Sequence, residues 1–129
     1  MNYFTETEFK CNCGCDIAVV DAEFLNMLNV ARWKYVWAIH VVSGYRCEAW
    51  NTTVGGSWTS SHLKGLAADI EAIGSANRMQ LVSALVYAGF NRIGIAERFI
   101  HVDHDPDKPA NVLWLYPNKE KEVLNGQTA

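Results

Sequence analysis

The stretch SSHLKGLAADIE, residues 60–71, passes from a serine-bearing polar loop into a run of small apolar side chains. In an extended chain successive side chains point to opposite faces. Ala68 and Ile70 then share one face, and Ala67, Asp69 and Glu71 share the other. The run ERFIHVD, residues 97–103, repeats the pattern, with Ile100 and Val102 on one face and Phe99, His101 and Asp103 opposite. Two such strands need their aliphatic faces covered by helices, which leaves histidine and carboxylate groups together on the open face. His62 lies just ahead of the first strand. Gly65 lets the backbone turn its imidazole back toward Asp69, and the small residues Ala67 and Ala68 permit close approach. If the two strands are neighbours, His62, Asp69 and His101 converge on one point.

The covering helices are legible in the periodicity. From Asp21, an N-cap, to about Trp37, the residues Phe24, Leu25, Leu28, Ala31, Trp33 and Trp37 recur at helical spacing. SANRMQLVSALVYAG, residues 75–89, predicts a second amphipathic helix ended by Gly89. TETEF (5–9) carries a capping-box pair, Thr5 and Glu8, and opens a short helical turn. IHVVS (39–43) reads as a short strand, and CEAWNTTVGG (47–56) as a short helix closing on its glycines. RIGI (92–95) and FIHVD (99–103), three residues apart, form a hairpin. A turn at 105–109 and a last apolar segment, NVLWLYP (111–117), follow, and 118–129 is a polar, frayed tail. The expected architecture is α+β: two main helices on one face of a small antiparallel sheet, in a single domain spanning 1–129.

Composition narrows the function. A chain of 129 residues, 50% hydrophobic and 19% charged, can bury a core without staples and is not a disordered segment. The net charge of -3 and the lack of a basic run remove the electrostatic footprint of a nucleic-acid binder. Nothing approaches the roughly 20 consecutive apolar residues of a membrane span. MNYFTETEFK has neither the basic nor the apolar region of a secretory signal, so the chain is expected to be made in the cytoplasm. A monomer is expected as well. Cys11, Cys13 and Cys15 cluster in CNCGC, with Cys47 apart. If that run is extended, its alternate side chains point the same way. Reduced cysteines that pack the N-terminus are the first reading, and a second, structural metal site is the other.

Two imidazoles and one carboxylate with an open fourth position are what catalytic zinc takes, whereas structural zinc is usually closed by four ligands. Each residue alone also has a plainer use: His62 as a loop cap, Asp69 as a turn or ion-pair residue, His101 as a surface histidine. Spacing by itself leaves both readings open.

SGYR (43–46), Asn51 with VGG (54–56), the S-x-H-x(6)-D element of 60–69 and IHVD (100–103) occur in order. Together they resemble the zinc D-Ala-D-Ala peptidases, most of all the small single-domain members found in phage endolysins and murein hydrolases. YFTETEFKCNCG is similar to the usual opening of that group, and the likeness runs over residues 3–116. The resemblance implies a Hedgehog/DD-peptidase-like fold, Zn2+ held by His62, Asp69 and His101, and peptidoglycan stem peptides as substrate. It also implies that Arg46 contacts a substrate carbonyl or terminal carboxylate, for which a fixed fork of donors is suited. The plainer use of Arg46 is a surface ion pair. Zinc would lower the pKa of its water toward about 7 and polarise the scissile carbonyl.

The chain departs from the family at one place. Relatives carry an acidic general base three positions before the second ligand histidine, and Arg98 stands there. Glu97, in the hairpin turn, is the first candidate base and Asp103 its competitor. Asp103 could instead orient a ligand histidine. His104 and His40 could bind substrate or belong to a polar surface. The functional expectation is a zinc peptidase cutting peptidoglycan, as a phage or prophage endolysin released to the wall or periplasm by a holin-type partner. The alternatives are a zinc-containing peptidoglycan-binding module and an intracellular D-Ala-D-Ala dipeptidase.

Overall fold

The computed structural model of the protein describes residues 2–117, and the frayed tail expected at 118–129 lies outside the described residues. Among the described residues three α-helices, α1 (Ala22–Tyr35), α2 (Glu48–Thr53) and α3 (Ser75–Tyr87), accompany five strands. The strands are β1 (Val41–Ser43), β2 (Ala67–Glu71), β3 (Arg92–Ile95), β4 (Phe99–Asp103) and β5 (Val112–Leu115). They form one sheet in the order β1-β2-β4-β3-β5, with the first three pairings antiparallel. The α+β architecture read from the sequence is therefore the observed one.

One pairing differs from the all-antiparallel expectation, because β5 runs parallel to β3. Both edges of β4 are already taken, by β2 and β3, so the chain leaving β4 cannot fold back as another hairpin. It crosses β3 through the turn that follows Asp105 and adds at the outer edge. There Leu113 and Leu115 stay exposed, beyond the cover of the helices.

Helix α1 starts where Asp21 accepts from the Phe24 backbone N–H at 3.0 Å, a side-chain cap on an otherwise unpaired donor. Phe24, Leu28 and Ala31 form its buried stripe. Trp33 and Trp37, which the periodicity put on the same face, are 50% and 63% exposed. At 3.6 residues per turn, Trp33 lies about half a turn away from Phe24, and Trp37 falls beyond the helix end at Tyr35. Helix α3 contributes Leu81, Ala84 and Leu85, and Phe90 beyond it meets Phe24 edge-on at 5.7 Å.

The helices cover the sheet face built by Ala68, Ile70, Ile93, Ile100 and Val102, all buried. Each large aliphatic or aromatic side chain in this layer contributes roughly 1.5–3 kcal/mol by leaving water. Register then decides what the other face presents. Ile70 pairs with Ile100 toward the helices, and Asp69 pairs with His101 on the opposite side.

Candidate metal centre and substrate cleft

His62 sits in a 3-10 turn, Ser61–Lys64, begun by Ser60, whose hydroxyl accepts from the His62 N–H at 3.2 Å. The turn ends at Gly65 with φ +70, and a Cβ there would come within 2.7 Å of the Val19 carbonyl, so only glycine fits without strain. His62 is thereby folded back over β2. Its Nδ1 lies 2.7 Å from the Gly44 carbonyl. A carbonyl only accepts, so Nδ1 carries the proton and Nε2 presents a lone pair. That lone pair faces Asp69 Oδ1 at 3.4 Å.

His101 faces the same oxygen. Its Nδ1 is 3.0 Å from Asp69 Oδ1, while its Nε2 is 2.7 Å from Asp103 Oδ2. Arg92 in turn donates from Nε to Asp103 Oδ1 at 2.6 Å, so Asp103 is fixed on both oxygens. Burial works against charge on Asp69, but the hydrogen bond from His101 outweighs it and holds the carboxyl well below the usual range. Burial opposes the Asp103 charge too, and His101 and Arg92 overcome it. For His101, burial disfavours the cation, yet the Asp103 and Asp69 carboxylates prevail and raise its pKa.

The donor set fits zinc. One donor atom each from His62, Asp69 and His101 lies within 4.8 Å of the other two. Zn–N and Zn–O bonds of about 2.0–2.1 Å in a tetrahedron place neighbouring ligand atoms about 3.3–3.4 Å apart. The separations of 3.4 and 3.0 Å at Asp69 are close to that spacing. Behind the donors, Gly44 holds the far nitrogen of His62 and Asp103 holds that of His101. These are the outer partners that fix tautomer and orientation in histidine metal sites.

The three residues line a cleft of about 400 Å³. Arg46 also lines it, with Nη2 3.4 Å from Asp69 Oδ2 and Nη1 3.3 Å from the Asn51 side-chain oxygen. Asn51, buried, also donates to the Ser57 carbonyl and so ties Arg46 to the loop that follows α2. Lys108 lines the cleft as well and donates to Ser61 at 2.9 Å.

Part of the lining is aromatic: the Trp114 and Tyr116 ring centres lie 5.5 and 6.5 Å from that of His101. Gly94 makes this possible. It pairs with both His101 and Trp114, and a Cβ there would meet the Trp114 and Tyr116 rings at 2.5–2.7 Å.

A family model described as Peptidase M15 matches residues 2–103, which contain all three donors. The chain belongs to this peptidase M15 family. No curated protein matches it. M15 peptidases are zinc-dependent metallopeptidases that act on peptidoglycan-type substrates, as the sequence resemblance implied. No helix among the described residues is long and apolar enough to cross a membrane.

In this M15 chain the remaining sequence candidates part company. Arg46 and Asp103 line the cleft with the histidines. Glu97 is exposed in the β3–β4 turn, where its backbone carbonyl accepts from Arg78, and it is not among the residues lining the cleft. Asp69 and Asp103 are the carboxylates that do line it. His104 pairs with Glu23 at 3.5 Å away from the donors, and His40 is exposed on the approach to β1. Sequence reading passed over Arg92, Lys108, Trp114 and Tyr116. The basic pair carried no motif, and the two aromatics read as ordinary members of an apolar segment.

Proposed function

We propose that this M15 peptidase hydrolyses a peptide bond in the stem or cross-link of bacterial peptidoglycan, as a phage or prophage endolysin, with zinc held by His62, Asp69 and His101. The observation that carries the reading is the convergence of these three donors in a cleft that Arg46 and Lys108 also line. Three protein ligands leave a position free, as hydrolytic zinc sites require. Bound there, zinc would activate water and polarise the scissile carbonyl.

The chain's own residues supply the rest. Arg46 and Lys108 favour a peptide that carries a carboxylate, and the guanidinium fork can hold either that carboxylate or the charge that develops on the scissile carbonyl oxygen. Trp114 and Tyr116 give the peptide an apolar wall. Asp103, on the remote nitrogen of His101 and pinned by Arg92, acts as a positioning residue. Glu97 serves as general base by folding the β3–β4 turn over the cleft when substrate is present. Catalytic contacts often tighten only in the complex with substrate.

Incubation with purified sacculi and, separately, with free D-Ala-D-Ala, followed by mass analysis of products, tests the proposal. New peptide termini from sacculi support it. Cleavage of the dipeptide alone would make the protein a dipeptidase, and retention on sacculi without cleavage would make it a binding module. The clamp has its own test. Arg46→Lys should keep zinc and fold but lose at least roughly 10-fold in kcat/KM, because a point charge cannot replace a bidentate fork. An unchanged kcat/KM would assign Arg46 to the Asp69 ion pair alone.

A further inference from the structure

The second cluster of metal-type donors takes no part in the peptidase reading and stands without it. Residues 12–15 form turns rather than the extended run that alternate spacing allowed. The Cys11 N–H closes this loop onto the Ile17 carbonyl at 2.8 Å, and the Tyr45 N–H bonds the Phe9 carbonyl at 2.8 Å, which brings Cys47 alongside. As a result the sulphurs of Cys11, Cys13, Cys15 and Cys47 all lie within 4.8 Å of one another, and none is in a disulfide. Cys11 is buried and Cys47 half-buried, as reduced, partly buried cysteines would be, while Cys13 and Cys15 are exposed and do not pack the N-terminus.

We propose that Cys11, Cys13, Cys15 and Cys47 form a second, structural metal site for a soft divalent cation, zinc first of all, separate from the His62–Asp69–His101 centre. The Cys11–Cys47 and Cys13–Cys47 sulphur separations are 3.7 and 3.8 Å. A tetrahedral site with Zn–S bonds of about 2.3 Å has edges of about 3.8 Å, the same spacing. Backbone N–H groups are already directed at the sulphurs: Cys15 N–H to Cys13 at 3.4 Å, Cys47 N–H to Cys11 at 3.4 Å and Trp50 N–H to Cys47 at 3.5 Å. Such donors support thiolate ligands from outside the metal's own shell. Four thiolates select zinc over magnesium or calcium and leave no open position, so the site is structural. It joins the N-terminal loop to Cys47, the residue after Arg46, and thereby steadies the entry of Arg46 into the cleft.

Zinc per chain, measured on the full-length protein purified under reducing conditions, tests this directly. The wild type should hold about two zincs. A Cys13→Ser/Cys15→Ser double variant and a His62→Ala/His101→Ala double variant should each hold about one. With cobalt(II) in place of zinc, the thiolate-to-metal charge-transfer absorption should persist in the histidine variant and vanish in the cysteine variant. Because wild type with cobalt gives the same signature, the test does not depend on either variant folding. If the cysteine variant keeps the wild-type stoichiometry, or the cobalt protein lacks thiolate absorption, the proposal is overturned. Cysteines paired as a disulfide in a separate preparation made without reductant but with zinc present, seen by thiol titration after denaturation, would overturn it as well. Zinc bound only through the cysteines would uphold this site and defeat the peptidase reading, so the two fail separately.

Discussion

Alanine in place of His62, Asp69 or His101 is expected to abolish hydrolysis of sacculi and to remove one zinc per chain. Each of the three supplies a donor atom to a single point, so loss of any one leaves two protein ligands where hydrolytic zinc needs three. The fall in zinc affinity should exceed the roughly 10–100-fold that loss of an outer partner costs. The helix-covered core is on the other face of the sheet, so far-ultraviolet circular dichroism should stay native while metal and activity disappear together. Any of these variants that hydrolyses sacculi at the wild-type rate would remove the metal centre from the mechanism.

The second large effect separates Glu97 from Asp103. Glu97→Gln should retain zinc and fold while kcat falls by roughly 10²-fold or more, because a general base cannot be replaced by an amide of the same shape. Asp103→Asn should act differently. Its carboxylate meets the nitrogen of His101 that faces away from Asp69, so its loss should weaken zinc by roughly 10–100-fold, and excess zinc should restore much of the rate. Asparagine retains an oxygen that can accept from Arg92, which limits the cost to the buried ion pair. A zinc titration of activity for both variants reads the difference. If Asp103→Asn binds zinc normally yet is inactive while Glu97→Gln works, the base is Asp103. Wild-type rates in both would exclude either carboxylate as base.

The sequence by itself determined the elements and the faces. The period-2 pattern of 67–71 and 99–103 separated Ile70, Ile100 and Val102 from Asp69, His101 and Asp103, and the sheet keeps that separation. Gly65 and Ser60 marked the turn that carries His62, since a left-handed residue and a hydroxyl cap are local requirements of the chain. Local chemistry of this kind is written in consecutive residues, which is why it could be read.

What only the tertiary structure decided depends on residues distant along the chain. Strand order placed β4 between β2 and β3, so Asp69 and His101 became partners and β5 was forced to the parallel edge. That edge position, with the space left by Gly94, brought Trp114 and Tyr116 beside His101. Asp103 found Arg92 and the far nitrogen of His101, while Glu97 came to lie in an exposed turn. Four cysteines whose spacing matches no familiar zinc pattern were gathered by the Phe9–Tyr45 and Cys11–Ile17 hydrogen bonds. Periodicity tells which way a side chain points from its own backbone, but which other backbone it meets is set by how the sheet closes.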